Sequence, residues 1–377
     1  MKYCPECGKE LVTQKFCAEC GADISKYTNG GSSMNSFDFS SMQAEAQRQL
    51  NEQKQNEAKA YFYKNAQISG TTLVKYNGAD ERVVIPDDIT SIDDKAFYEN
   101  KVLKSIKIPK SVKRIGMCAF YRCENLSDLF IEEGLKTICQ RAFQECKSLK
   151  NVKIPNGVIN IEEYAFCLCE GLLNIELPYT LEALGNNVFW CCRNLKHVSV
   201  PSGVKYFGRE LFSGCVHLTG VELPNNLTRI EDGMFAECYE LTSLRIPSSV
   251  TEIGNYAFEN CRKLTTVDLP RGLRAIGNSA FHCCLGLFTV TIPGSVKKIG
   301  ESAFNYCTSL CDVKFEEGIE EIEQWAFASC EKLTTVTLPR SIRKANSVFS
   351  MCSSLKTAYV PKDKDIYIAY GVNTIEY

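Results

Sequence analysis

Apolar residues recur along most of the chain with one fixed period. Phenylalanine stands at every 23rd position from Phe97 to Phe327, and again at Phe349 after 22 residues. Three residues after each phenylalanine comes a cysteine, or Asn100 in the first repeat, and three residues further comes a leucine. A spacing of three places side chains on one face of a short helix, which we predict to face a core.

An alternating segment follows each leucine. In Leu149–Pro155 the apolar Val152 and Ile154 alternate with polar residues, which is the pattern of a half-buried strand. Proline ends the strand because it has no amide hydrogen to donate. One such unit cannot cover its own apolar side, so neighbouring units must stack. We therefore predict an α/β repeat solenoid of right-handed strand-turn-short helix coils.

The repeat has the form Ile-Gly-x-x-Ala-Phe-x-x-Cys-x-x-Leu-x-x-Val-x-Ile-Pro, which residues 253–270 match well. This form is similar to the BspA-type leucine-rich repeats, and the resemblance covers about residues 83–361. It implies a bacterial protein of a family associated mostly with cell-surface adhesion. Its members usually carry a secretion signal, but no apolar run suited to one follows Met1. We therefore expect a cytoplasmic protein rather than an adhesin.

Composition divides the chain into three segments. Residues 1–27 hold a cysteine motif, and residues 28–67 form a glycine- and serine-rich linker followed by a predicted polar helix over 42–64. Residues 68–377 form the solenoid, with a cap at 68–90, repeats at 91–361 and a second cap at 362–377. The sequence of the first cap predicts a hairpin that turns at Asn77-Gly78.

The N-terminal cysteines have the spacing of a metal site. Cys4 and Cys7, then Cys17 and Cys20, form two Cys-x2-Cys pairs, each followed by glycine. Two such turns aim four thiolates at one ion, and residues 3–24 resemble the zinc-ribbon family. We predict one structural Zn²⁺ with no open position for catalysis; iron in a rubredoxin-like site is the alternative. A redox dithiol would need only one pair.

Eleven further cysteines form a ladder, which we call the cysteine ladder: Cys123, Cys146, Cys169, Cys192, Cys215, Cys238, Cys261, Cys284, Cys307, Cys330 and Cys352. We predict that they are buried as small apolar side chains. Packed helical segments lie about 8–10 Å apart, beyond the roughly 7 Å limit between disulfide-linked Cα atoms. The ladder should therefore stay reduced.

Charge and chemistry argue against several function classes. The 43 basic and 45 acidic residues give a net charge of −2, which disfavours binding to a phosphate backbone. No stretch approaches the roughly 18 apolar residues of a membrane span. The histidines His197, His217 and His282 fall in three different repeat positions, and phosphate-loop and nucleophile-elbow motifs are missing from the sequence. We predict no catalytic residues and no enzyme activity.

One strand position per repeat should face solvent on an open side of the solenoid. Its residues carry mixed charges: Lys107, Phe130, Lys153, Glu176, Ser199, Glu222, Arg245, Asp268, Thr291, Lys314, Thr337 and Tyr359. We predict a scaffold or adaptor that binds a protein partner on this face, with the zinc ribbon as a second module. The alternatives are a nucleic-acid-associated regulator that uses the ribbon and a surface adhesin exported by a non-classical route.

Overall fold

A computed structural model describes residues 39–362, 364, 366–369 and 371–377. The chain divides into two compact units, Met1–Tyr61 and Phe62–Tyr377. The predicted zinc ligands Cys4, Cys7, Cys17 and Cys20 lie outside the described residues, so the ribbon stays a prediction.

Helix α1 spans Phe39–Asn65, in the segment where the sequence predicts a polar helix. Its side chains are exposed at every position from 43 to 61. Side-chain hydrogen bonds one turn apart join Gln47 to Asn51 and Gln53 to Glu57, both at 3.0 Å. Good helix formers and these local bonds support the helix without an apolar stripe.

Twenty-six short strands follow in the described part of the chain. In chain order the first fourteen are β1 (Ala66–Ser69), β2 (Thr72–Tyr76), β3 (Arg82–Val84), β4 (Ser91–Ile92), β5 (Ser105–Ile108), β6 (Arg114–Ile115), β7 (Asp128–Ile131), β8 (Thr137–Ile138), β9 (Asn151–Lys153), β10 (Asn160–Ile161), β11 (Asn174–Glu176), β12 (Ala183–Leu184), β13 (His197–Ser199) and β14 (Tyr206–Phe207). The others are β15 (Gly220–Glu222), β16 (Arg229–Ile230), β17 (Glu252–Ile253), β18 (Ala275–Ile276), β19 (Thr289–Ile292), β20 (Lys298–Ile299), β21 (Asp312–Phe315), β22 (Glu321–Ile322), β23 (Thr335–Thr337), β24 (Lys344–Ala345), β25 (Thr357–Val360) and β26 (Asn373–Glu376).

These strands build two parallel stacks, one on each of two sides of the solenoid. The long-strand side contains β3-β5-β7, β9-β11-β13-β15, β19-β21 and β23-β25-β26. The short-strand side contains β2 and the two-residue strands from β4 to β24. Residues 243–246 and 266–269, in the two coils between β15 and β19, are not in strands. Within the repeats each strand pairs with the equivalent residues one coil away, as in Ile92↔Ile115, whereas β1 pairs with β2 in an antiparallel hairpin. The predicted repeat solenoid is thereby confirmed.

The predicted short helix is wrong, because the third side of each coil is a series of tight turns that we call the turn side. The amide of Phe97 donates to the carbonyl of Ala119 in the next coil at 2.7 Å, and that of Ala96 donates back to Asp93 at 3.3 Å. An α-helix would instead donate four residues back. The residues two before and two after every phenylalanine have φ between 52° and 73°, and 22 of these positions are not glycine.

The core is a continuous stack of side chains along the coils. All twelve repeat phenylalanines are less than 2 % exposed, and consecutive rings stack with centroids 4.8 to 6.1 Å apart. Tyr76 continues the stack before Phe97 at 5.2 Å, and Phe62 stacks on Tyr76 at 5.5 Å. The spine of phenylalanines therefore runs through the whole array.

Both ends differ in detail from the sequence prediction. The first hairpin pairs β1 with β2 and turns at Gly70-Thr71, not at Asn77-Gly78. The compact unit begins at Phe62 rather than at residue 68, because that side chain already belongs to the core. At the other end β26 pairs in parallel with β25, and Ile368 is buried in the core. The segment after the last repeat thus adds one more strand.

Candidate interaction surface

The predicted open face exists on the long-strand side. All twelve residues of the predicted column are exposed: Lys107, Phe130, Lys153, Glu176, Ser199, Glu222, Arg245, Asp268, Thr291, Lys314, Thr337 and Tyr359. Their neighbours in the strands, such as Val152 and Ile106, are buried. Adjacent strands lie about 4.8 Å apart, so the column presents a side chain at that interval along the coils.

Ion pairs between coils order the charged part of this face. The ammonium of Lys107 lies 2.8 Å from a carboxylate oxygen of Glu132, and Lys153 lies 3.3 Å from Glu176. The hydrogen bond from Lys107 lowers the pKa of Glu132, and the same bond raises the pKa of Lys107. Both pairs are open to solvent, so they set the local charge pattern and contribute little to stability.

Exposed aromatic rings interrupt the charges. Phe130, in β7, is 57 % exposed. Phe288, directly before Thr289 at the start of β19, is 55 % exposed. Large rings that a folded chain leaves open are favoured contact residues in protein interfaces. The face therefore combines aromatic and charged side chains on a hydrogen-bonded backbone.

A cavity of about 500 Å³ lies on the short-strand side, where the sequence indicated no site. The guanidinium of Arg229 lies 3.2 Å from Glu231 and 3.0 Å from Asp232, and it also contacts Glu252. Burial is the largest cause of the raised pKa of Glu231, and Arg229 opposes it. The guanidinium of Arg229 is therefore already paired with carboxylates of the protein itself. Glu252 follows Arg229 by one repeat. That the two residues are neighbours can be recognised only once the pairing register of the coils is known.

The cysteine ladder is buried, as predicted, and each thiol has a specific partner. Cys123 donates through Sγ to the carbonyl of Phe97 at 3.1 Å, and the other ten do the same to the preceding coil at 3.1 to 3.5 Å. Burial raises the pKa of Cys123 to about 12. Burial also raises the pKa of the ladder thiols from Cys146 to Cys307, so these thiols stay protonated as donors. A hydrogen bond with Cys330 instead lowers the pKa of Cys352.

The distance argument against disulfides in the ladder was wrong. Successive turn sides are hydrogen-bonded to each other like strands, so they lie about 4.8 Å apart rather than the 8–10 Å of packed helices. That spacing is within disulfide reach. All seventeen cysteines of the described part of the chain are nevertheless free thiols. For the ladder thiols from Cys123 to Cys307, burial and a raised pKa limit reactivity.

Other ligand candidates do not converge. Cys118, Cys139, Cys167, Cys191, Cys283 and Cys311 lie in several different positions of the coil. Among residues 39–362 and the described residues after them, no three histidine, cysteine or acidic side chains are grouped to hold a metal. In the same ranges no helix is long and apolar enough to cross a bilayer.

Known proteins resemble the solenoid. Residues 75–189, 136–265 and 229–356 match the model of the BspA type leucine rich repeat region, in six copies. No curated protein matches the sequence.

Solved structures share the fold. A leucine-rich repeat protein from Bacteroides ovatus is 23% identical, with a TM-score of 0.51 over 81% of this chain and 94% of that one. The pneumococcal vaccine antigen PcpA is 18% identical, with a TM-score of 0.52 over 82% and 92%. A leucine-rich repeat protein from Eubacterium ventriosum is 19% identical, with a TM-score of 0.51 over 79% and 89%. At these identities the likeness concerns the fold alone.

Proposed function

Since this chain belongs to the BspA-type leucine-rich repeat family, we propose that it is a non-enzymatic scaffold that binds a protein partner on its long-strand face. Leucine-rich repeat domains commonly mediate protein binding, and the family is generally non-enzymatic. The single observation that carries the proposal is the column of twelve exposed side chains along the long-strand side, ten of which lie in strands. A rigid surface of this kind binds without an ordering cost in its own backbone.

Site-specific photo-crosslinking in the source cell tests which side binds. A crosslinking residue at Ser199 on the long-strand side should yield a covalent adduct with the partner. The matched control is Asn160, which is also exposed but lies on the short-strand side. Adducts from position 160 alone, or from neither position, would contradict the proposal.

The second module of the proposal is the zinc ribbon. Four thiolates in two Cys-x2-Cys pairs suit Zn²⁺, and the closed ligand set of Cys4, Cys7, Cys17 and Cys20 assigns the ion a structural role. Such an ion stabilises a segment too small to fold by its own core.

Metal analysis of the purified full chain tests the ribbon. We expect one zinc per chain, lost in Cys4→Ser and Cys20→Ser and retained in Cys311→Ser, which alters a solenoid thiol. Iron at the same stoichiometry would identify the rubredoxin-like alternative, and a metal-free protein would exclude both.

A cytoplasmic location completes the proposal. Eleven ladder thiols act as hydrogen-bond donors, which requires them to be reduced, and the cytosol keeps thiols in that state. Fractionation of the source cell should recover the protein with soluble cytosolic markers. Recovery at the cell surface would favour the non-classical export hypothesis instead.

A further inference from the structure

The last cysteine of the ladder lies at the end of the array. The ladder cysteines from Cys123 to Cys330 are 0 % exposed, whereas Cys352 is 8 % exposed. The sequence holds no cysteine after Cys352, and the chain beyond it forms β26 on the long-strand side. No further ladder cysteine therefore covers Cys352, and a small solute can reach its sulfur from the end of the array.

The thiols of Cys330 and Cys352 are bonded to each other. Cys330 lies 3.5 Å from the carbonyl oxygen of Phe304, the longest such bond in the ladder, and its hydrogen is shared with the sulfur of Cys352. Cys352 in turn donates to the carbonyl of Phe327 at 3.1 Å. The outermost two rungs of the ladder thus place one sulfur against another.

This bond prepares Cys352 for reaction. A sulfur that accepts a hydrogen bond is stabilised as the thiolate, so the bond from Cys330 lowers the pKa of Cys352 although burial opposes it. The same bond raises the pKa of Cys330, which keeps its proton. Since the thiolate is the nucleophilic form of cysteine, Cys352 attacks first and Cys330 is the neighbouring thiol that follows.

The backbone spacing allows a covalent bond between the two sulfurs. Hydrogen-bonded coils lie about 4.8 Å apart. The rings of Phe327 and Phe349, three residues before the two cysteines, stack with centroids 5.6 Å apart. Disulfide-linked Cα atoms are usually about 4.4–6.8 Å apart. The last two coils can therefore be joined without moving away from each other.

We propose that Cys330 and Cys352 are a reversible oxidation site, at which a hydroperoxide converts the two thiols into a disulfide between the last two coils. Cytosolic disulfides are usually transient and redox-sensing, which agrees with the proposed location. The disulfide removes both S–H donors, so the carbonyls of Phe304 and Phe327 lose their thiol partners. The site is independent of the long-strand face.

The reaction has two steps. The Cys352 thiolate attacks one oxygen of the hydroperoxide and breaks the O–O bond, which yields a sulfenic acid and an alkoxide or hydroxide that takes up a proton. The Cys330 sulfur then attacks the Cys352 sulfur and breaks its S–O bond, and the leaving hydroxide departs as water with the proton of Cys330. Two thiols are oxidised and one hydroperoxide is reduced to an alcohol or water.

Peptide mapping of the full-length protein tests the site. Hydrogen peroxide is added to the reduced protein, free thiols are blocked with iodoacetamide, and the chain is cut with trypsin without reductant. Cys330 and Cys352 are the only cysteines of the tryptic peptides 315–332 and 345–356. These two peptides should be linked before any other solenoid cysteine is oxidised, and dithiothreitol should separate them. No link, or equally fast links between interior neighbours such as Cys261 and Cys284, would overturn the proposal.

Variants test the order of the two steps. Cys330→Ser removes the second thiol, so the sulfenic acid of Cys352 should accumulate and be trapped by dimedone. Cys352→Ser should leave Cys330 reduced under the same treatment. Cys307→Ser is the matched control, because it changes the next ladder thiol inward and should leave the link intact. Oxidation of Cys330 at an unchanged rate in Cys352→Ser would overturn the proposal, and the wild-type map tests the site even if a variant does not fold.

Discussion

Single residues on the turn side hold a backbone conformation that side chains disfavour. Of the 24 positions two before and two after the phenylalanines, only Gly214 and Gly233 are glycine. Left-handed φ costs an ordinary residue about 1–2 kcal/mol, and the bonds between coils must offset that cost in every repeat. The turn side is therefore the part of the fold where local preference and global structure disagree.

Replacement of Ser302, at φ 55°, by glycine should stabilise the protein by up to about 1 kcal/mol, because glycine adopts this conformation without strain. Ser309→Gly in the same coil, at a position without positive φ, should destabilise it by about 0.5–1 kcal/mol. Urea unfolding of both variants measures the difference. The idea of strain fails if both changes shift the midpoint in the same direction.

Native thiol labelling should follow burial. At pH 8 iodoacetamide should modify Cys311, which is partly exposed, well before Cys238, because burial raises the pKa of Cys238 and suppresses its thiolate. Mass spectrometry of the labelled peptides, before and after denaturation, measures both sites. Equal native rates would show that the ladder opens readily to solvent.

Alkaline pH should weaken the fold through the same thiols. An unfolded thiol loses its proton near pH 8.5, whereas folded Cys123 keeps it until about pH 12. Between these values the folded state binds more protons, so the free energy of unfolding falls as pH rises. Urea midpoints at pH 8 and pH 10 test this. A variant with three ladder cysteines changed to alanine should show a smaller fall.

At the scale of the element, each coil depends on its neighbours. Phe212 stacks between Phe189 and Phe235 with centroids 5.6 and 5.7 Å away, so its loss opens a cavity shared by three coils. Phe212→Ala should cost about 3–5 kcal/mol. Phe288→Ala, which removes an exposed ring, should cost within about 0.5 kcal/mol. Thermal unfolding of the two variants compares them, and similar losses would contradict a core role for the spine.

The sequence predicts the inward residues better than the backbone that carries them. A spacing of three from Phe120 to Cys123 to Leu126 fits a helix, but it also fits consecutive tight turns. The choice depends on hydrogen bonds to the next coil, such as Phe120 to Ala142 at 2.7 Å, which no single repeat reveals. Alternation in the strands has no such ambiguity, and the exposed column was predictable residue by residue.

The cavity on the short-strand side could not be predicted in the same way. Its lining joins residues of successive coils, such as Tyr206 and Arg229, which are 23 positions apart in the sequence. Such relations become visible only after the register is fixed by pairs like Thr291↔Lys314. The zinc ligands are a different case, because their spacing within a short segment of sequence is enough to predict them. The zinc site stays a prediction.

At the scale of the whole molecule, stability depends on how the ends are covered, because a stacked array exposes an apolar face at each terminus. Ile368→Asp places a charge in the buried C-terminal cap, whereas Tyr367→Asp changes a residue that is 55 % exposed. Hydrogen exchange should show loss of protection in β25 and β26 for the first variant, with β5 and β7 unaffected. Uniform loss along the chain would contradict end-wise fraying.

The uniform register between coils has an evolutionary consequence. Because Ile92, Ile115 and Ile138 occupy one ladder, duplication or excision of a 23-residue genetic unit leaves every remaining contact in place. Unequal recombination can therefore lengthen or shorten the binding surface in steps of about 4.8 Å without a new fold having to evolve. Natural selection can therefore adjust the length of the array one coil at a time.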